Sequence, residues 1–325
     1  MTSRDAYERW LAREIESLLR DGFNNVVTTL VTRYNDLTPA QKTRQLQLFA
    51  NVDKYLADGY GEANKFSKKQ FDAYAEIESA VTRAQLRAIV ATGDVNLTFD
   101  AMSKAEIRNI AALPIGGLDI GTWWEKQASD MSLETRRQIQ MGLLSGETPQ
   151  QIVRRVMPAD TMAPAVLRTA RRNASTLVRT TVTAVHNNAA LETMISAGSK
   201  VTTSYRYIAV RDARTSKICA ALSNKIFDFT DPKKKMPPQH PNCRSTIVAI
   251  VNYAKLGLPT PPENGPLSFQ SYDAWLREQS TSMQTVILGP SRQELYAAGR
   301  VTLQDMVATD NRTLTLNELR TRLAD

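Results

Sequence analysis

Both cysteines of the chain and one of its two histidines lie between residues 212 and 244. This stretch begins with Asp212-Ala213-Arg214-Thr215-Ser216 and Cys219, and it ends with Pro237-Pro238-Gln239-His240-Pro241-Asn242-Cys243-Arg244. Thiolate and imidazole groups are preferred zinc ligands, and they also act as nucleophiles and general bases. We therefore expect any chemistry of this protein to be located here.

The first interpretation is a metal site. Cys219, His240 and Cys243 are zinc-ligand types, and the His-x-x-Cys spacing lets two ligands from one turn reach a single ion. A closed structural zinc site needs four ligands. His186 or Asp212 could supply the fourth, although nothing in the sequence places either residue close to the other three.

Three further interpretations use the same residues. The two thiols could form a disulfide, or Cys219 could be the nucleophile and His240 the base of a Cys-His hydrolase. No residue that would orient His240 stands at a recognisable place, and prolines flank the turn that contains it. The pattern therefore favours a rigid structural turn with free thiols, with zinc, a disulfide and catalysis as alternatives.

Positive charge is concentrated around the same stretch. The formal net charge is +8, and residues 201–257 alone contain 10 basic and 3 acidic residues. A basic surface attracts polyanions such as nucleic acid, while a solvated lysine-rich loop is the alternative. The residues expected to contact nucleic acid or another polyanion are Arg168, Arg171, Arg172, Arg179, Lys233, Lys234, Lys235 and Arg244.

Several functional classes lack support in the sequence. It contains no phosphate-binding glycine loop, no G-x-S-x-G and no H-E-x-x-H. No apolar run approaches the roughly 18 residues that would span a bilayer, and the N-terminus has no signal-peptide pattern. Two cysteines fit a chain made in a reducing cytoplasm. We expect a binding or structural protein without a catalytic residue, a small-molecule substrate or a cofactor other than zinc.

The N-terminal part shows helical periodicity. Apolar spacing predicts one helix from Tyr7 to Leu18 and a second from Phe23 to Tyr34. Thr38-Pro39-Ala40-Gln41 predicts the start of a third, which is expected to break at Asp58-Gly59-Tyr60-Gly61. A capping box at Ser67-Lys68-Lys69-Gln70 predicts a fourth. Trp123 and Trp124 are adjacent, so they cannot both face one core. One is expected in the core and the other on the surface, with contact to another subunit or a neighbouring segment as the alternative.

The central part changes from helical to alternating periodicity. Helices are predicted from Ser132 to Gly146, from the capping box at Thr148, and over about 165–197. Residues 201–210 and 244–251 have the β-branched and aromatic content of strands, and Ser216 is expected to cap a short helix between them. The predicted fold class is α+β and predominantly α-helical, with a few strands near 201–251.

These elements suggest four regions. Composition predicts a helical N-terminal region at 1–112 and a central α+β domain with the Cys/His loop at 113–257. A Pro/Gly-rich linker is predicted at 258–270, followed by a helical C-terminal tail at 271–325. Within the tail, Ser271 is expected to begin a helix, and Gly289-Pro290 is expected to end one helix and start another.

The central motifs resemble those of the Mu F-like phage minor head proteins, also called head morphogenesis proteins. The resemblance rests first on Asp212 to Ser216, Cys219, Leu222 and the segment from Pro237 to Arg244, and on Arg179-Thr180-Thr181 and His186-Asn187 upstream. The tail is similar to the family's C-terminal segment in Tyr272 to Leu276, Ile287 to Arg292, and Leu314 to Leu319. Ser216 and Ser245 stand where many members have cysteines, which leaves the alternatives for the thiols open.

The resemblance implies a structural virion component of a tailed phage, located in the capsid interior or at the portal vertex and present in the host cytoplasm during assembly. Its implied partners are the portal protein, the major capsid protein and packaged double-stranded DNA, in head assembly or DNA ejection. We expect residues 1–112 to bind portal or capsid, and residues 154–257 to face DNA. A Cys-His hydrolase and a free nucleic-acid-binding protein are the alternatives.

Overall fold

The structure is a computed structural model that describes residues 3–33, 42–91, 99–157, 165–261, 269–310 and 312–324. Over these residues the chain is predominantly helical with one small antiparallel sheet, which confirms the predicted fold class. The predicted helix start at Thr38-Pro39-Ala40-Gln41 lies outside the described residues, as does most of the predicted linker.

The described helices and strands follow one another along the chain in a helix-rich order. They are α1 (Arg4–Arg33), α2 (Lys42–Val90), α3 (Lys104–Ala111), α4 (Ile120–Leu144), α5 (Pro149–Val156), α6 (Val166–Ser196), β1 (Thr202–Ile208), α7 (Lys217–Leu222), β2 (Ile226–Asp228), β3 (Thr246–Val251), α8 (Tyr272–Arg277), α9 (Thr281–Leu288), α10 (Pro290–Ala297) and α11 (Leu316–Ala324). None of the helices in these ranges combines the length and the apolar character needed to cross a membrane.

The chain forms two compact units, each built from two separated segments. The first unit comprises residues 1–74 and 108–182, and the second comprises residues 75–107 and 183–325. The long helices α2 and α6 each contribute residues to both units.

In the first unit, the expected division of the N-terminal helices is wrong. Residues 4–33 form one helix, and α2 continues through Asp58-Gly59-Tyr60-Gly61 without a break. A Cβ on Gly22 of α1 would lie 2.8 Å from the carbonyl oxygen of Tyr55 in α2. Gly59, also in α2, packs against Gly22. The glycines therefore serve close helix packing, which outweighs their low helix propensity.

Ser67 also differs from its predicted role. Its hydroxyl donates to the carbonyl oxygen of Asn64 (3.0 Å) within α2, and it accepts a hydrogen bond from Trp124 Nε1 (3.0 Å). The side chain is fully buried. Ser67 therefore has the local sequence pattern of a helix cap, but in the structure its hydroxyl is the hydrogen-bond partner of Trp124, a residue distant in sequence.

Helix α4 begins earlier than the sequence predicts. Its N-cap is Asp119, whose side chain accepts from the backbone of Thr122, so the predicted start after Ser132 is wrong, whereas the end at Ser145 is correct. Trp124 is 1% exposed, while Trp123 is half-buried. One tryptophan is therefore buried as expected, whereas the other is only partly exposed and its Nε1 donates to the carbonyl oxygen of Ile115 (2.8 Å) in the neighbouring segment.

In the second unit, the sheet has the strand order β2-β1-β3 with both pairs antiparallel. Both predicted strands are confirmed, and β2 is a short additional edge strand. The odd-numbered residues of the first strand region are buried, as the alternation predicts. The buried ones are Val201, Tyr205, Tyr207 and Ala209. Thr203 is an exception, because it is only half-buried while Thr202 is buried, and the register shifts between Thr202 and Ser204.

The C-terminal helices share a core with α7. Ala220 and Ala221 of α7 are buried together with Tyr272 and Leu276 of α8. The predicted caps at Ser216 and Ser271 are confirmed. The predicted end of one helix and start of the next at Gly289-Pro290 are also confirmed, as the end of α9 and the start of α10. The tail therefore packs directly against the helix that carries Cys219.

Candidate functional site

The candidate site lies in the second unit, in the segment of chain that connects β1 to β3. After β1 the chain turns, and Ser216 caps α7 by accepting a hydrogen bond from the backbone N–H of Cys219 (3.2 Å). This cap fixes the first turn of α7. The Cys219 side chain is consequently held at the N-terminal end of the helix.

His240 and Cys243 are the ends of one tight turn. The backbone N–H of Cys243 donates to the carbonyl oxygen of His240 (3.2 Å), and Asn242 has a φ of 56°. Proline at the second position and asparagine with positive φ at the third are the residues that a type II turn favours. The His-Pro-Asn-Cys sequence therefore specifies locally the turn that brings the histidine next to the cysteine.

The structure brings the three predicted ligands together. Cys219 Sγ lies 3.2 Å from His240 Nε2 and 3.6 Å from Cys243 Sγ. The ligand atoms of all three residues lie within 4.8 Å of one another, and both thiols are buried. Zn–S bonds of about 2.3 Å in a tetrahedral site place two sulfurs about 3.8 Å apart. The sulfur separation is thus close to that of a zinc site, and the set fits a metal in ligand type and spacing.

Two further polar groups adjoin these three. Ser216 Oγ lies 2.8 Å from His240 Nε2, and the hydroxyl of Tyr207 lies 3.3 Å from Cys219 Sγ. The sequence identified Ser216 as a cap but missed this second contact. The signal was present, because the N-cap and Cys219 are three residues apart and point to the same end of α7.

The two thiols have opposite pKa shifts because they share a proton. The hydrogen bond from Cys219, followed by that from His240, lowers the pKa of the Cys243 thiol. The same hydrogen bond and burial raise the pKa of Cys219. The Cys243 thiolate, with a smaller contribution from the Pro241 carbonyl, raises the pKa of His240. Metal ligands are thiolates and neutral imidazoles, so a cation at this site would displace the protons that these groups otherwise hold.

Helix α6 positions the cysteine loop through buried polar side chains. Thr183 Oγ1 donates to the carbonyl oxygen of Cys243 (2.7 Å). Asn187 Oδ1 accepts from the backbone N–H of Ile247 (3.0 Å), and its Nδ2 donates to the carbonyl oxygen of Ser245 (3.3 Å). Asn187 is part of the motif that carries the family resemblance, but the sequence indicated this positioning role for neither residue. Their signal was a polar residue on the otherwise apolar face of a long helix.

The two candidates for the fourth ligand have other partners. Asp212 accepts two hydrogen bonds of 2.6 Å from the Arg244 guanidinium, which lowers the pKa of its carboxyl group to about 2. His186 has Thr246 Oγ1 at 2.8 Å and the carboxylate of Glu78 at 3.0 Å. Among the described residues, the group of possible ligands contains neither of them.

The Asp212–Arg244 pair also joins the site to the tail. The hydroxyl of Tyr272, the first residue of α8, donates to the carbonyl oxygen of Asp212 (2.8 Å). The Asp-x-Arg-Thr turn, the Cys-Arg segment and the tail thus form one hydrogen-bonded network. These are the same three segments that carry the sequence motifs.

The predicted basic residues are divided between the two units. Arg168, Arg171, Arg172 and Arg179 belong to the first unit, and Arg171 pairs with Glu16 there (2.5 Å). Residues 233–235 and Arg244 belong to the second. Arg172, Arg179 and Lys233 are exposed, whereas Arg244 is committed to Asp212.

Residues 134–248 match the family model described as Phage Mu protein F like protein. The match covers 115 of the 325 residues and includes every predicted ligand and basic residue named above. No curated protein and no solved structure matches the chain. The predicted family resemblance is confirmed for the central region.

Proposed function

Because residues 134–248 belong to the phage Mu protein F-like family, we propose that the chain is a structural minor head protein of a tailed phage, acting in head morphogenesis. It associates with the portal and the major capsid protein in the virion, at the capsid interior or the portal vertex, and it serves head assembly or DNA ejection. The family match is the observation that carries this proposal.

The geometry around His240 supports a structural role over a Cys-His hydrolase. A general base of that type is oriented by a carboxylate or amide on its second ring nitrogen. His240 Nδ1 instead lies 2.9 Å from the carbonyl oxygen of Pro241, the next residue. The cavity beside Ser216, Cys219 and His240 is only about 20 Å³, which is too small for a substrate.

Exposed apolar side chains on the N-terminal helices support the proposed contact with portal or capsid. In the first unit, Val31 of α1 is 49% exposed and Leu46 of α2 is 67% exposed. Exposed apolar side chains indicate a protein interface when they form a patch, so Val31 and Leu46 are the positions at which this contact is tested.

Coexpression with the portal and major capsid proteins of the same phage tests this proposal. We expect the wild-type chain to copurify with them, and Val31→Glu and Leu46→Glu to reduce its recovery. Val286→Glu is the matched control, since Val286 is 74% exposed but lies in the C-terminal tail. Point changes are preferable to deleting residues 1–110, because the deletion removes α1 and α2. Absence of any copurification would contradict the proposal.

We further propose that exposed basic residues of the 154–257 region contact packaged double-stranded DNA. Arg172 and Arg179 in the first unit and Lys233 in the second are exposed. In a salt titration of DNA binding, each phosphate contact that is lost lowers the slope of log K against log salt by about 1. We expect Arg172→Ala, Arg179→Ala and Lys233→Ala to lower the slope. The exposed Arg300→Ala should leave it unchanged, and no binding at low salt would exclude the contact.

We also propose that Cys219, His240 and Cys243 bind a structural zinc ion, with Ser216 Oγ or a water in the fourth position. The sulfur spacing and the adjacent serine hydroxyl support this proposal. A bound ion would join α7 to the turn before β3.

A further inference from the structure

The outward face of α2 between residues 76 and 84 is apolar. Ile77 is 55% exposed and Val81 is 44% exposed, and Ala80 and Ala84 are exposed as well. Residues three and four positions apart are neighbours on a helix, so these four side chains form one continuous patch about two turns long. The patch lies wholly in the second unit.

The other face of the same two turns is buried. Ser79, Thr82 and Leu86 are at most 7% exposed, and Ser79 Oγ accepts a hydrogen bond from Thr193 Oγ1 of α6 (3.0 Å). The inward face of α2 is therefore already packed within the chain. A surface helix ordinarily has polar residues on the face turned away from its core, and an exposed apolar patch marks a contact with another molecule.

Two opposite charges lie beside the patch. Glu76 is exposed, and Arg83 is half-buried seven residues further along α2. Arg83 Nη1 donates to the carbonyl oxygen of Asp100 (2.9 Å), and a guanidinium has five N–H donors, so others remain for a carboxylate. Seven residues are two turns, so both charges stand on the same side of the helix about 10 Å apart along its axis. At this separation they are placed to pair with a partner rather than with each other.

The order of these charges is complementary to itself when the helix is reversed. In an antiparallel pair of α2 helices, Ile77 of one copy lies opposite Ala80 of the second copy, and Glu76 lies beside Arg83 of the second copy. Large side chains then face small ones, and alanine lets the helix axes approach to about 8 Å. A parallel pair would instead place each charge level with the same charge of the other copy, which is unfavourable.

We propose that this patch binds the same patch on a second copy of the chain, in an antiparallel two-fold dimer that forms the Glu76–Arg83 pair twice. A two-fold interface uses the same residues on both subunits, so one helix face supplies the whole contact. Two helical turns bury less than the standard interface of about 1,600 Å², and we therefore expect a dimer that forms at micromolar concentrations. The patch is distinct from the cysteine cluster and from Val31 and Leu46, at which the portal or capsid contact is tested.

Sedimentation velocity of the full chain, at concentrations from about 1 μM to about 200 μM, tests this proposal. We expect the wild-type chain to shift from monomer to dimer over this range. Ile77→Glu should remain monomeric, because the dimer would bury two carboxylates without partners. Ile226→Glu is the matched control, since Ile226 is 52% exposed but lies on β2. Circular dichroism verifies that each variant is folded.

Charge reversal tests the orientation of the two helices. Glu76→Arg and Arg83→Glu should each weaken the dimer by about tenfold, since each replaces two ion pairs with two like-charge contacts. The double variant restores both pairs and should dimerise as the wild type does.

Three results would overturn the proposal: a wild-type chain that stays monomeric, a dimer that Ile77→Glu leaves unchanged, or a double charge variant that dimerises no better than the single ones. If the free chain is a monomer and Ile77→Glu lowers its recovery with the portal protein, the patch serves that partner instead of a second copy.

Discussion

Ser216 connects two roles that the sequence treats separately. Its hydroxyl caps α7 through the N–H of Cys219, and the same oxygen lies 2.8 Å from His240 Nε2. Hydroxyl oxygens accept two hydrogen bonds and donate one, so both contacts can exist together. The serine thus couples the start of α7 to the His-Pro-Asn-Cys turn, with or without an ion between them.

The zinc proposal leads to a prediction about these residues. Protein purified without a His tag should contain about one zinc ion per chain, and Cys243→Ser and His240→Ala should lose it. His186→Ala is the matched control, because the chain's other histidine is held by Glu78 and Thr246 outside the cluster. Elemental analysis measures the content. Folded wild-type protein without zinc would contradict the proposal and favour free thiols or a disulfide, which mass spectrometry distinguishes.

Asp212 predicts a pH dependence with a defined direction. The Arg244 guanidinium lowers the pKa of Asp212 from 3.8 to about 2. Stability from this pair is therefore fully present above about pH 4, and it is lost as the pH falls toward 2. Its side chain is 32% exposed, so solvent screening limits the contribution to about 1 kcal/mol or less.

Thermal unfolding of wild type and Asp212→Asn between pH 2 and pH 7 tests this prediction. The difference in Tm should be largest near neutral pH and should shrink below pH 4, since the wild-type carboxylate then becomes protonated. Asp310→Asn is a control, because its pair with Arg312 is exposed and contributes little. A difference that is constant across the range would show that Asp212 does not titrate in the folded state as expected.

At the scale of elements, the close approach of α1 and α2 explains why a glycine-containing segment stays helical. A Cβ on Gly22 would come within 2.8 Å of a backbone oxygen of α2. A backbone atom cannot rotate away as a side chain can. The two helices would have to separate to admit even one methyl group, at a cost typical of overpacking.

This contact predicts opposite effects for two alanine substitutions. Gly22→Ala should lower the free energy of unfolding by about 1–3 kcal/mol. Gly61→Ala should raise it by up to about 1 kcal/mol, because the site is open and alanine is the better helix former. Urea denaturation measures both. A neutral Gly22→Ala variant would mean that α1 and α2 pack less closely than described.

At the scale of the whole molecule, each compact unit is assembled from segments that are far apart in sequence. Trp124 illustrates the consequence in the first unit. Its ring lies beside that of Tyr60, and its Nε1 donates to Ser67, so α2 supplies both contacts. A cut at the predicted boundary between residues 112 and 113 would remove these contacts from α4.

We therefore predict that a fragment of residues 113–325 exposes Trp124. Its tryptophan emission should shift to longer wavelength relative to the full chain, and its helical content per residue should fall. The Trp124→Phe variant of the full chain identifies the contribution of this residue. A fragment with unshifted emission and cooperative unfolding would instead support an independent domain beginning at residue 113.

The sequence alone determined the features that depend on neighbouring residues. The capping box at Thr148, the cap at Ser216 and the restart at Gly289-Pro290 are all present, because a cap is a hydrogen bond between residues a few positions apart. The alternation of apolar and polar residues predicted the buried face of β1, because successive side chains of a strand point to opposite faces. The Cys/His turn and the family resemblance also followed from short motifs.

Only the tertiary structure decided what depends on distant contacts. It made α1 and α2 continuous, gave Ser67 a partner 57 residues away in Trp124, and placed Asn187 of α6 against the segment that follows Cys243. It also set Ser216 beside His240 and left an apolar face of α2 exposed. The physical reason is that packing and buried hydrogen bonds between distant segments outweigh local propensities of about 1 kcal/mol.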